Sequence, residues 1–160
     1  MKKITLFAAI VLLSTTLAAQ IKPYAGAGFG FMATPDYPGA ENGLGLTVKA
    51  GATGFVEVMP EIGALFELNK SLTGLNDADV LSLGAYASYD ILIPNSAFAI
   101  RPKFGVIIPN AGDEIHSRDI TFSSGIGGKM ALSKQLDLYV DYVVLGEGVT
   151  NYSIGAEFKF

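Results

Sequence analysis

The only histidine of the chain, His116, stands beside Ser117 in a segment that also holds Asp113, Glu114 and Arg118. A histidine within hydrogen-bond reach of a serine can act as a general base and activate its hydroxyl as a nucleophile. The acids and the imidazole together could also attract a divalent cation. A solvated loop has the same composition, and we favour that interpretation. We therefore assign no catalytic residue, no metal ligand and no cofactor.

Other chemistry is excluded by composition. The chain has no cysteine, so it forms no disulfide and has no thiolate chemistry. Gly26, Gly28 and Gly30 do not form a nucleotide-binding loop, because such a loop opens a helix and no helical pattern follows them. Without Lys2 and Lys3 the chain carries nine basic against 15 acidic residues, a net charge of about −6. It therefore has no electrostatic basis for binding nucleic acid.

The N-terminus has the organisation of a secretory signal peptide. Lys2 and Lys3 precede an apolar run over 4–13, and small and polar residues lead to Ala19. The run is too short for a membrane anchor, and hydroxyl side chains interrupt its end. We predict a signal peptide over residues 1–19 and one mature domain over 20–160, with cleavage after Ala18 or Ala19.

The mature chain shows a period of two in hydrophobicity, the signature of β-strands. It contains no apolar run of about 18 residues, which excludes a transmembrane helix. The alternating segments cover residues 24–32, 44–58, 62–68, 80–91, 98–108, 120–132, 136–144 and 152–160. Short links near 59–61, 92–97 and 133–135 alternate with mostly longer acidic links at 33–42, 71–79 and 110–119, and with a brief one near 146–150. This pattern predicts an all-β, eight-stranded antiparallel up-and-down transmembrane barrel with short periplasmic turns and external loops.

The composition of the polar face predicts which side of the barrel meets lipid. That face combines many glycines with five bases and six acids, which are Lys49, Glu57, Glu67, Asp90, Arg101, Lys103, Lys129, Asp137, Asp141, Glu157 and Lys159. Glycines leave room for long charged side chains in a narrow lumen, whereas the surface of a soluble lipocalin-like barrel has little need of them. The apolar face is therefore predicted to point into lipid.

Buried charges must pair, so the lumen is predicted to hold a salt-bridge cluster. Its expected members are Lys129, Asp137, Asp141, Glu157, Lys159, Arg101 and Lys103. The assumed turn positions place Lys159 opposite Asp137, and Lys129 diagonal to Asp137 and Asp141. Aromatic residues at the strand ends predict two interface girdles: Tyr89, Phe98, Phe158 and Phe160 below, with Phe31, Phe122 and Tyr152 above.

The last strand, Tyr152-x-Ile154-x-Ala156-x-Phe158-x-Phe160, resembles the C-terminal signal of bacterial outer-membrane proteins. Over essentially all the mature chain, the architecture resembles the small OmpA-like and opacity-type barrels, without the peptidoglycan-binding domain of full OmpA proteins. The resemblance implies the bacterial outer membrane, its lipids as surroundings, and the barrel-assembly machinery as the partner that reads Tyr152, Ile154, Phe158 and Phe160.

The sequence supports a non-catalytic barrel with a structural or surface-interaction role, whose acidic loops could meet surface partners. Two alternatives stay open. One is a narrow pore. The other is a lipid A-modifying barrel enzyme that uses the His116 loop, although the deacylases of that kind pair histidine and serine as His-x-Ser, whereas His116 and Ser117 are adjacent.

Overall fold

The computed structural model describes residues 21–33, 42–73, 80–111, 120–146 and 148–160. The predicted signal peptide and most of the three longer links lie outside these ranges. The described residues form nine strands: β1 (Lys22–Ala33), β2 (Gly43–Thr53), β3 (Ile62–Ser71), β4 (Val80–Tyr89), β5 (Ile91–Leu92), β6 (Phe98–Ala111), β7 (Thr121–Ala131), β8 (Leu136–Val144) and β9 (Thr150–Lys159). No helix within the described part of the chain is long and apolar enough to cross a membrane.

The strands form one antiparallel sheet that closes on itself. Strands that follow one another in sequence pair with each other, except β4 and β5, and β1 pairs with β9, so Tyr24 lies opposite Lys159. Pairing of β4 with β6 completes the ring. Since β5 continues β4, the described strands build an eight-stranded up-and-down barrel, as the alternation predicts. We call the end with links 54–61, 93–97 and 132–135 the short-turn end, and the other the loop end.

The interruption between β4 and β5 has a local cause. Ser88 pairs with Lys103 and Ile91 with Ile100, so both pieces keep one register along β6. The unpaired step covers Tyr89 and Asp90, which this register places opposite Pro102 and Arg101, and Pro102 has no N–H to donate to the ladder. The continuous strand predicted over 80–91 is thus a single transmembrane strand with one local break at Asp90.

The two faces of the barrel differ in chemistry in the predicted sense. The outward face consists mostly of apolar residues, with odd numbers in β1 and even numbers in β2 and β6. Among them, Phe29 and Phe104 are 68% and 70% exposed. The alternate residues point into the lumen and are buried, among them Lys49, Arg101 and Lys103. A large outward apolar surface around buried charges is stable only in lipid, because water would favour the opposite arrangement.

The second strand is shorter than predicted. β2 ends at Thr53, not near Val58, because Gly54 takes a left-handed backbone conformation (φ 86°) and redirects the chain. A turn then closes between Val56 and Met59, with the Met59 amide donating to the Val56 carbonyl at 3.1 Å. Glu57 is exposed in this turn, so its predicted place in the lumen is wrong.

The register between β8 and β9 also differs from the expected one. Glu157, not Lys159, lies opposite Asp137, while the Lys159 amide donates to the Gln135 carbonyl at 2.8 Å. Gly146 and Gly148 both have positive φ, at 83° and 76°, and they turn the chain one residue earlier than assumed. The pairing therefore shifts by two residues.

Candidate functional site

The lumen holds one continuous chain of ion pairs. Within the described residues, nine ion pairs link five bases and five acids, and each step joins opposite charges. The order is Glu67, Lys103, Asp141, Lys49, Glu157, Arg101, Asp90, Lys129, Asp137 and Lys159. The ten residues come from β2, β3, β6, β7, β8 and β9 and from the break after β4. We call this set the ion chain.

The ion chain runs from the middle of the lumen to the short-turn end. Glu67 and Lys103 begin it with fully buried side chains. Lys49 lies 2.9 Å from both Asp141 and Glu157. Asp90 accepts hydrogen bonds from both Arg101, through Nε at 2.6 Å and Nη2 at 3.2 Å, and Lys129 at 2.6 Å. The side chain of Lys159 is 33% exposed at the far end, so solvent access rises along the chain.

Three tyrosines that face the lumen cover cations of the ion chain. The Lys49 ammonium lies 3.0 Å from the centroid of the Tyr139 ring. The Arg101 guanidinium lies 4.7 Å from the Tyr24 ring, and the Lys103 ammonium 5.4 Å from the Tyr86 ring. These rings supply cation–π contacts as well as packing around the buried cations.

Two glycines make room for one of these rings. Gly28 and Gly155 face each other across β1 and β9. A Cβ added at Gly155 would lie 2.7 Å from the Tyr139 hydroxyl, and one at Gly28 would also collide with it. The glycines therefore create the space in which Tyr139 packs against Lys49.

Two further layers fill the lumen toward the loop end. The Asn151 amide donates to Thr47 Oγ1 at 3.0 Å and to Asn69 Oδ1 at 2.9 Å, and Thr47 donates to the same Asn69 oxygen at 2.7 Å. Beside and beyond them lies a buried apolar layer, made of Met32, Val80, Ile107, Val143, Leu145 and Val149. This apolar layer fills the loop end of the lumen.

The short-turn end is more open. A cavity of about 550 Å³ lies there, and Lys22, Glu61 and the outer half of the ion chain contribute to its wall. The described lumen thus has a charged entrance at the short-turn side and a packed apolar layer at the other.

The structure brings the predicted lumen residues together. Lys129 lies opposite Tyr139, so Asp137 and Asp141 are its diagonal neighbours, as expected. Its ion pairs are with Asp90, at 2.6 Å, and with Asp137, at 3.8 Å. Lys159 contacts Asp137 at 2.6 Å despite the shifted register. Arg101, Lys103, Asp141 and Glu157 all belong to the same chain. Glu67, Lys49 and Asp90 also belong to the ion chain but were not predicted as members of the cluster. Their positions on the polar face of the predicted strands could have identified them.

The C-terminal strand presents its predicted signal residues outward. Tyr152, Ile154, Phe158 and Phe160 are 50%, 64%, 45% and 75% exposed. The Phe158 and Phe160 rings meet edge to face at 5.4 Å, and Tyr152 packs against Tyr142 at 4.8 Å. His116 and its polar neighbours lie outside the described residues, as do the acids of the longer links.

The ion chain has the chemistry of a structural element. Each of its carboxylates contacts at least one cation, and each of its cations contacts at least one carboxylate, so every charge in the chain is paired. Its ten charges cancel, as buried charge requires. The arrangement can fix the positions of six strands, and ion passage would require several of these pairs to separate.

No protein-family model and no curated protein matches the chain. Solved structures do. Ail, the attachment invasion locus protein of Yersinia pestis, is 13% identical with a TM-score of 0.60, over 88% of this chain and 99% of that one. Neisserial surface protein A (NspA) is 17% identical with a TM-score of 0.58, over 88% and 97%. The N-terminal β-barrel domain of Pseudomonas aeruginosa OprF is 12% identical with a TM-score of 0.56, over 88% and 98%.

These similarities confirm the predicted likeness to small eight-stranded outer-membrane barrels at the level of the fold. The same fold serves many functions, so the likeness carries no activity. Together with the outward apolar band and the charged lumen, the fold is that of a transmembrane β-barrel.

Proposed function

We propose that the chain is a non-catalytic outer-membrane barrel, exported by a signal peptide over residues 1–19, that supports the envelope and presents acidic loops to surface partners. The filled lumen carries the proposal. A neutral ion chain, a network of amide and hydroxyl groups and an apolar layer together fill the lumen. Such a lumen suits a rigid scaffold, and it argues against the narrow pore.

Planar-bilayer recording tests the non-conducting role. The folded chain, verified by its heat-dependent shift on a gel, should produce no stepwise current above that of a protein-free bilayer. An open porin in the same bilayers shows that the recording is sensitive enough. Stepwise currents from the folded chain would contradict the proposed scaffold role and support the narrow pore.

A deletion strain tests the structural and non-catalytic parts together. Loss of the chain should raise the sensitivity of the cells to detergent, and both the wild type and His116→Ala should restore resistance. A lipid A mass shift that depends on the chain and disappears in His116→Ala would instead establish the enzyme.

Epitope insertion tests the presentation of the loops. A tag within the acidic link at 74–79 should be labelled by antibody on intact cells. The same tag placed after Lys134, in a short turn, should be labelled only after the outer membrane is permeabilised. Labelling of the second tag on intact cells would contradict the proposed orientation.

A further inference from the structure

One glycine of the barrel is not required by the packing of the lumen. Gly128 on β7 is the one glycine that the described strands present on the outward face. A Cβ added there would meet only Val140 Cγ2, at 3.3 Å, whereas additions at Gly28 or Gly105 in the lumen would collide with backbone atoms. Gly128 is not among the glycines with positive φ. A glycine within a strand often marks a place where another molecule approaches closely.

Gly128 forms the floor of an apolar groove. Ile100 on β6 and Val140 on β8 pair with it from the two sides. Both side chains are exposed, at 40% and 54%, and they stand as the walls of the groove. Two adjoining cavities of about 600 and 370 Å³ share these residues together with Ile154.

The groove extends between the two interface regions of the barrel. Its upper part reaches the packed pair Tyr142 and Tyr152, and its lower part reaches Ile93 and Phe98 at the short-turn end. Aromatic side chains at these positions mark the edges of the hydrocarbon layer. Gly128 itself is closer to Ala131, where β7 reaches the short-turn end, than to Thr121 at the loop end. The floor therefore lies in the leaflet on the short-turn side.

We propose that this groove binds one acyl chain of a glycerophospholipid from the short-turn leaflet. The groove is continuous with the lipid-facing surface and has branched apolar walls along its length. A flexible hydrocarbon chain can follow such a channel, whereas the convex wall of a second barrel would rest on Ile100 and Val140 and leave the floor empty. The inference requires the membrane location and is independent of the proposed non-catalytic role.

Native mass spectrometry of the barrel released from vesicles of phosphatidylethanolamine and phosphatidylglycerol tests the proposal. The wild type should retain one phospholipid under activation that removes loosely held lipid. Gly128→Leu should lower the bound-to-free ratio roughly tenfold, since its side chain occupies the space of about two methylene groups. Ala64→Leu, which adds the same kind of side chain to exposed Ala64 on β3 away from the groove, should retain the lipid.

Each variant is first shown to fold by its heat-dependent shift on a gel. If Gly128→Leu does not fold, Gly128→Ala replaces it, with a smaller loss of lipid expected. No retained phospholipid in the wild type, or equal retention in Gly128→Leu and Ala64→Leu, would overturn the proposal. A dimer that disappears in Gly128→Leu would assign the groove to a second copy. If vesicles containing both phospholipid and lipopolysaccharide released a barrel that retained lipopolysaccharide and no phospholipid, the proposal would also be overturned.

Discussion

At the scale of single residues, the place of a charge in the ion chain decides how much its loss costs. Arg101 is buried and holds Asp90 and Glu157 together, at 2.6 and 2.8 Å. Lys159 contacts only the end of the chain and is partly solvated. Removing an interior cation leaves buried carboxylates without compensation, whereas removing the terminal one leaves Asp137 with Lys129 and some access to water.

We therefore expect Arg101→Met to lower the free energy of unfolding by about 3–5 kcal/mol, and Lys159→Met to lower it by less than about 1 kcal/mol. Urea titration in lipid vesicles, followed by the gel shift of the folded barrel, measures both. Combining Arg101→Met with Glu157→Gln removes opposite charges together and should recover part of the loss. If Arg101→Met and Lys159→Met lowered the free energy of unfolding equally, a charge's position in the ion chain would not determine the cost of its loss.

Glycine substitutions test the packing of the lumen. Gly155→Ala introduces a Cβ that would collide with the Ala27 carbonyl oxygen and lie 2.6 Å from Gly28 Cα and 2.7 Å from the Tyr139 hydroxyl, so it should destabilise the barrel by about 1–3 kcal/mol through overpacking. Gly128→Ala is the matched control, and it should change stability by less than about 1 kcal/mol because its Cβ points outward. If Gly155→Ala and Gly128→Ala changed the free energy of unfolding by similar amounts, the groups around Gly155 would have to move aside at little cost. The same urea titration applies.

The sequence predicted which charged residues lie in the lumen better than it predicted which of them form ion pairs with each other. Alternation alone places Lys129, Asp137 and Arg101 on one face, since side chains change sides at every residue. It cannot show that Lys129 reaches Asp90 from β7, because that contact crosses the lumen between strands that are not paired. The apolar layer of Met32, Ile107 and Leu145 was missed, although extending the parity of each strand to the loop end would have located it.

At the scale of elements, β9 combines barrel closure with the proposed insertion signal. Its outward aromatics are Tyr152 and Phe158, Phe160 follows its last residue, and it pairs with both β1 and β8. These outward rings make little contact with the lumen. Recognition during assembly and stability after folding can therefore be separated experimentally.

We expect Phe160→Ala to reduce the amount of barrel assembled in cells severalfold while leaving refolding in detergent nearly unchanged. Pulse-chase labelling with the gel shift measures the first, and refolding yield measures the second. Phe98→Ala, which removes an outward ring at the same end of the barrel from β6, should leave assembly intact. Equal assembly defects in both variants would point to interface anchoring and not to a terminal signal.

Strand number and orientation were predictable from the sequence, whereas strand ends and register were not. The period of two survives a shift of two residues unchanged, so it could not distinguish Glu157 from Lys159 as the partner of Asp137. The actual register depends on Gly146 and Gly148, whose positive φ values set the length of the connection. The end of β2 likewise depends on the conformation of Gly54 and not on hydrophobicity.

At the scale of the whole molecule, closure brings the two ends of the described chain together at the short-turn end. Tyr24 lies opposite Lys159, and the Phe160 amide donates to the Pro23 carbonyl at 3.0 Å. A short linker can therefore join residue 160 to residue 21 without disturbing the β1–β9 ladder. The turn between β7 and β8 is exposed and reverses at the same end, so the chain can be opened there.

We expect a permutant opened between Leu132 and Ser133 to fold in detergent and show the gel shift of the parent, because every strand pair is retained. In cells it should assemble poorly, since its last strand then ends on Leu132 and lacks a terminal aromatic. Adding Leu132→Phe, at an outward position that is 52% exposed, should restore assembly. A permutant that assembles equally well with and without this phenylalanine would show that the barrel is inserted by recognition of its fold and not of its last residue.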